Sequence, residues 1–382
     1  MAAYRGEAVA SFNQTVGVKQ DMDEAIRILS PSDTPLQQLL PTVSTNEIKV
    51  EWMEEELMPQ AVTNTAVSGT GPWTLTTSAT DPAFGTSELR VGDVLGTRDG
   101  TTSAVQWVVS SITNSTTYVV AAFPTGAHTT GPTGTSTLEI IGQYIVEGAD
   151  PLAPRSTERV GKFNYTQISQ EAVQATRTAR NRGMRNGMFG LDNEDPYTHE
   201  LGKKFKELAV RFERSMIHGQ RAISSDSKQR FMGGLFYYIT TNSISGLKAN
   251  IKTLLNDAIR KAYDAGSSPE VLMVSPTVKS IISTLNDSYL NINRGDVGAG
   301  TKIDTFMSDF GELRVIANRH FPKTRGVVLC TSQNDHAIVN FDPYTHELLA
   351  KTGDADKGQI VAEKSLKVKN EKGAVLFTVT DA

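Results

Sequence analysis

The sequence predicts an α+β protein that carries a small all-β insertion. Three observations lead there. Amphipathic helical patterns at 195–219 and 247–266, a buried-strand pattern in EVLMVSP, a further helical pattern in PTVKSIISTLN and a strand-rich stretch over 312–381 follow one another in the second half of the chain. Helix, strand, helix and then strands is the order of an α+β domain. In the first half, residues 61–137 turn rich in serine, threonine and glycine between segments whose apolar and charged residues alternate. Turn signals divide that stretch into strands of ordinary length.

With 382 residues, 38% hydrophobic and 21% charged, the chain falls among soluble globular proteins with room for two or three cores. No window supplies the roughly 18–20 apolar residues of a membrane helix, so no membrane partner is expected. The opening MAAYRGEAVASFNQTVGVKQ lacks a basic start followed by an apolar core, so it does not read as a secretory signal, and cytoplasmic synthesis is expected. The single cysteine, Cys330, excludes an intramolecular disulfide and sits in the apolar run GVVLC as a buried thiol. A net charge of −4 argues against a sequence-reading nucleic-acid binder, which needs concentrated Lys and Arg. It is compatible with a container that packages a polyanion and later releases it.

Residues 1–43 are weakly patterned and broken by Pro31, Pro35 and Pro41, which predicts an extended arm with a helical turn or two lying on other surfaces. In NEIKVEWMEEELM at 46–58, Ile48, Val50 and Trp52 alternate with charge, the period of a half-exposed strand. Similar alternation returns at 135–148 and 158–173, predicting a long antiparallel ribbon. Between them, the clusters Trp107, Val108, Val109 and Tyr118, Val119, Val120 separate the insertion from a flexible linker.

Next come Arg177, Arg180, Arg182 and Arg185, with no acid before Asp192: a basic loop for phosphate, for a neighbouring subunit or for solvent. The clearest helix follows. Asp195 can cap it, Pro196 suits its first position, and Leu201, Phe205, Leu208, Phe212 and Met216 form its core face opposite Lys203, Lys204, Glu207, Arg211 and Arg214. In the next helix, Leu247, Ile251, Leu254, Ala258 and Ala262 share one face, and a glycine closes it.

DPYTHEL occurs at 195–201 and again at 342–348 without extending into a longer repeat, which favours shared Asp-Pro turn chemistry or chance. His199–Glu200 and His346–Glu347 lack HExxH spacing and a third ligand, so no metal is expected. The Arg294-Gly295-Asp296 tripeptide reads as a polar turn, and its loop lacks the ending of a phosphate-binding loop. No GxSxG motif and no cysteine–base pair supports catalysis, and no cofactor is expected.

The order of parts resembles the major capsid proteins of tailed bacteriophages with the Hong Kong 97-type fold, in the phage SU-ten-like family. The segments that carry the resemblance are the arm, the interrupted ribbon, NYTQISQEAVQATRTARNRG before the long helix, and TFMSDFGELRVIANRHFP at 305–322. It implies an N-terminal arm at 1–43, an extended loop at 44–60 and 138–172 hosting the insertion at 61–137, and a peripheral domain at 173–232 with spine helix 195–220. An axial domain at 233–345 and C-terminal peripheral strands at 346–382 complete it. The implied function is that of a non-enzymatic subunit forming hexamers and pentamers of an icosahedral shell around phage double-stranded DNA, located in the virion and assembled in the host cytoplasm. Scaffolding, portal and decoration proteins are possible partners; nothing at the start resembles a fused scaffolding domain, which implies a separate scaffold or none. The insertion would serve surface decoration or bracing between capsomers. Two rivals come from other classes: a surface adhesin or carbohydrate-binding β protein, which calls for an export signal, and a cytoplasmic enzyme on the α+β part.

Overall fold

A computed structural model describes residues 32–58, 60–77, 89–97, 105–126, 128–152, 156–182, 195–284, 305–332, 335–351 and 353–380. The chain divides into two units, Met1–Trp52 with Lys162–Ala382, and Met53–Gly161. The first unit begins with α1 (Pro35–Leu39), which starts on a proline that needs no N–H partner, and continues through β1 (Thr42–Ser44) into β2 (Lys49–Glu54). Strand β2 buries Val50 and Trp52 and turns Lys49, Glu51 and Met53 outward, as its alternation predicts.

The second unit is a closed barrel. Strands β3 (Ala61–Ser68), β4 (Trp73–Thr77), β5 (Asp93–Thr97), β6 (Gln106–Ile112), β7 (Thr117–Phe123) and β8 (Ser136–Gln143) close in the order β3-β4-β7-β6-β5-β8. Trp107, Tyr118, Leu75, Leu95 and Leu138 fill its interior, and the buried Tyr118 hydroxyl donates to Asn64 Oδ1 at 2.7 Å. The segment 138–148, expected in the ribbon, contributes β8 to this barrel instead, with Leu138 opposite Val62 and Ile140 opposite Leu95. Without β8, strands β3 and β5 would each keep an open edge and Leu138 would meet water. The ribbon partner of β2 is β9 (Val160–Tyr165).

Back in the first unit, β10 (Gln167–Thr176) leads to α2 (Arg177–Arg182) and to α3 (Pro196–His218). The Asp195 side chain accepts from the Tyr197 N–H at the start of α3, and the helix ends before Gly219. The chain then makes β11 (Ala222–Ile223), β12 (Arg230–Phe231), α4 (Leu235–Tyr238), β13 (Ser243–Leu247), α5 (Ile251–Asp264), β14 (Val271–Val274) and α6 (Pro276–Ser283). It finishes with β15 (Thr305–Ser308), β16 (Gly311–Ala317), β17 (Arg325–Leu329), β18 (His336–Leu348), β19 (Ala355–Val368) and β20 (Val375–Thr380). Helix α5 starts four residues later than its apolar face suggests: Leu247 ends β13 and is exposed.

Two sheets organise this unit, one ordered β1-β18-β19-β10 and the other β13-β20-β17-β14-β16-β15. The six-stranded sheet separates two cores. Val271, Met273, Val327, Leu329 and Leu376 face the core of α3, whereas Leu272, Val274, Val328, Val375 and Phe377 face that of α5 and α6. The boundary expected at 345/346 therefore falls inside β18, which belongs wholly to the four-stranded sheet. Strand β20, expected beside the peripheral strands, lies inside the six-stranded sheet between β13 and β17. Its run VLFTV is buried on both faces and needs a sheet interior.

Candidate functional site

The described start of the chain is held by a buried carboxylate. Glu213, on α3, has no exposed surface. It accepts from the Leu36 N–H at 2.8 Å, the Gln37 N–H at 3.1 Å and Asn318 Nδ2 at 2.7 Å. The orphan N–H groups of the short helix α1 thus end on a charge supplied by the long helix, an anion at a helix N-terminus. Beyond α1, β1 pairs in parallel with β18, Val43 opposite Val339. A second buried polar group, Asn164, donates to the carbonyls of Gly233 (3.0 Å) and Leu366 (2.6 Å) and accepts from the Gly233 N–H (2.8 Å). It ties β9 to β19 and to the α3–α4 connection.

The start of α3 is latched to the β18–β19 hairpin. Arg180 forms a bidentate pair with Asp195, at 2.9 and 3.1 Å, and also reaches Asp356, while Lys351 sits 2.5 Å from Asp356. Lys351, and after it Arg180, hold the Asp356 carboxyl below its ordinary value. Arg177 lies 4.0 Å from Asp354. Beneath this layer, Tyr197 Oη is 2.7 Å from His346 Nε2. Gly358 leaves room for that contact, because a Cβ there would lie 1.9 Å from the tyrosine oxygen. The two DPYTHEL copies therefore meet in space, the first opening α3 and the second lying within β18. Register shifts at Asn340/Asp342 and Asp342/Thr345 accommodate the second copy, whose Pro343 has no N–H for the ladder.

The third feature is apolar surface. Met53 is 74% exposed and Leu57 92%, in a stretch that also carries Glu54, Glu55 and Glu56, and Val160 on the partner strand is exposed as well. Apolar side chains this open on a strand and its continuation leave hydrocarbon in water within the single chain.

The model of the SU10 major capsid protein family matches residues 8–381. This chain belongs to the SU10 major capsid protein family. The capsid protein is similar in fold to that of the empty GTA particle, with a TM-score of 0.54 at 10% identity over 98% of this chain and 100% of the other. The capsid of Myoviridae phage XM1 gives 0.50 at 10% identity over 98% and 100%, and that of Microbacterium phage Oxtober96 gives 0.51 at 11% over 95% and 96%. No curated protein matches the sequence. The fold is the Hong Kong 97-type phage capsid fold, and the protein is a shell-forming structural subunit of the virion.

Most residues singled out in the sequence have a place in this capsid subunit. Leu208, Phe212 and Met216 are fully buried in the α3 core, with Leu201 and Phe205 half-buried against it. The basic loop divides: Arg177 and Arg180 are exposed but paired with acids of their own chain, which leaves Arg180 little charge for phosphate, while Arg185 and the Arg182 side chain lie outside the described residues. The Arg294–Asp296 tripeptide is outside them too. Among the described residues, no three His, Cys, Asp or Glu side chains come together as a metal site, and no helix is long and apolar enough to cross a membrane. Cys330 is buried, and burial pushes its thiol up. Glu213 and Asn164 escaped the sequence reading, since a lone Glu within an amphipathic helix and an Asn within a strand resemble solvated positions until the fold encloses them.

Lys364, on β19, is 92% buried in the sense that only 8% of it meets solvent, and its Nζ lies 3.9 Å from the Tyr344 ring centroid and 5.5 Å from that of Phe212. Among the described residues no carboxylate pairs with it, and burial pulls its ammonium down to about 8 from 10.5. Because the folded chain releases this proton more easily than the unfolded one, the position destabilises the fold below pH 8, and that cost fades as pH rises towards 10.5. Tyr344 stays neutral across this window, since burial pushes it up to about 12. Lys364→Met is expected to raise stability at pH 7 by roughly 1–2 kcal/mol. The gain over the parent should shrink steadily between pH 8 and 10.5 in parallel urea titrations, and a gain independent of pH would rule this account out.

Proposed function

We propose that this capsid protein assembles into the hexamers and pentamers of an icosahedral shell that encloses double-stranded DNA in a bacterial cytoplasm, acting without a catalytic step. The arm through β1, the β2–β9 ribbon and α3 serve as its N-terminal arm, extended loop and spine. The four-stranded sheet serves as the peripheral domain, and the six-stranded sheet with α5 and α6 as the axial domain. Scaffolding, portal and decoration proteins are its further partners. The observation that carries the reading is the exposed apolar surface of Met53 and Leu57, in a chain of a family whose members build shells. Neighbouring subunits that cover such strips repeatedly gain affinity from many individually weak contacts, and heterologous contacts that close generate rings. The net charge of −4 and the pairing of Arg180 with its own acids suit a wall that releases its DNA.

Electron microscopy of the purified full-length protein, alone and with a scaffold, is expected to show capsomer rings or uniform shells. Met53→Asp with Leu57→Asp should leave folded monomers with an unchanged melting temperature, since both side chains are already in water. A parent chain that stays monomeric with a scaffold supplied would overturn the proposal.

A further inference from the structure

The connection between β7 and β8 holds a histidine whose two ring nitrogens both face carbonyl oxygens. His128 Nδ1 lies 3.1 Å from the Thr130 oxygen, and Nε2 lies 2.8 Å from the Gln106 oxygen on β6. A carbonyl only accepts, and a neutral imidazole has one N–H, so in either tautomer one of these contacts sets a nitrogen lone pair against an oxygen lone pair. The imidazolium donates to both. The aromatic surroundings favour the same form: the ring stacks on Trp73 at 6.1 Å and 14° and meets Trp107 edge-on at 5.8 Å, and indole faces attract cations. The Thr130 oxygen also accepts from Trp107 Nε1 at 3.1 Å. Gly131 presses so closely on Trp73 that a Cβ would come within 2.5 Å of its Nε1.

We propose that His128 is a proton-operated staple of the barrel: protonated, it donates at once to the Gln106 carbonyl on β6 and to the Thr130 carbonyl of its own segment, over the Trp73–Trp107 pair, and on losing its proton it gives up one of them. The groups that face the ring are those two indoles and the carbonyls of Gln106 and Thr130. Among the described residues no carboxylate, ammonium or guanidinium contacts it, so the response belongs to the imidazole itself. The staple is closed while the ring carries both protons and loosens when it carries one. That gives the insertion a response to pH which does not involve the α3 core.

The test uses the full-length chain with 15N-labelled indoles, whose three tryptophans, Trp52, Trp73 and Trp107, give three signals assigned by Trp→Phe exchange. The Trp73 and Trp107 signals are expected to move together, along one shared curve, as the solution is taken from acid to alkaline pH. Trp52 should stay still, and His128→Gln, which cannot titrate, should abolish the movement. Exchange of the Trp107 indole proton, corrected for its intrinsic rate, should slow about tenfold on the acid side. Flat Trp73 and Trp107 profiles, or the same midpoint in His128→Gln, would overturn the proposal. If that variant does not fold, the parent profile measured against Trp52 still decides.

Discussion

Replacing Glu213 with alanine is expected to cost about 3–5 kcal/mol of stability and to release the start of the chain from α3. The side chain is fully buried and satisfies the Leu36 and Gln37 N–H groups and the Asn318 amide. Each buried donor left without an acceptor costs roughly 1–3 kcal/mol. Glu213→Gln keeps one acceptor oxygen but sets an NH2 group against another donor, so it should lose about half as much. Urea unfolding gives the energies. Limited proteolysis gives the location: cleavage between 33 and 45 should accelerate in the variant well before global unfolding, because α1 and β1 depend on this anchor. A loss below about 1 kcal/mol would show that the arm is held by the packing of Leu36 and Leu40 alone.

Trp107→Ala is expected to remove about 3–5 kcal/mol from the barrel and almost nothing from the other unit. Trp107 is 1% exposed in the barrel core, and its truncation leaves a cavity, frees the Thr130 carbonyl and unpacks His128. The barrel core shares no residue with the cores around α3 and α5. Calorimetry should therefore show one transition moving down by several degrees while the other stays in place. One transition moving as a whole would mean that the two units unfold as one.

Helix α3 was legible because its signals are local: Asp195 and Pro196 at the start, apolar residues at three and four, and a glycine after the end. Its second half lies deeper than its first, with Leu208, Phe212 and Met216 fully enclosed and Leu201 and Phe205 at the margin. Spacing defines a face but not its depth. For the same reason α6 and the buried β14 were placed correctly from a proline and an apolar run. The meeting of the two DPYTHEL copies was not visible, because Tyr197 and His346 are joined by sheet pairing and helix packing across 149 residues. The acids Asp354 and Asp356, which pair with Arg177 and Arg180, were equally invisible, because they lie far along the chain.

Element types and the α+β class with its β insertion rest on periodicity, capping and composition within short windows, whereas the resemblance to phage capsid proteins rests on the order of parts and on the blocks NYTQISQEAVQATRTARNRG and TFMSDFGELRVIANRHFP. Tertiary structure alone decided which sheet each strand enters. Alternating apolar residues say that a strand has an inside face, but β8 and β9 both alternate, and only closure of the barrel assigns β8 to it and leaves β9 for β2. Likewise β20 joins the six-stranded sheet because both its faces need cover, which a long-range partner on each side provides. Strand pairing is a contact between distant segments, and its free energy depends on what the rest of the chain buries against them.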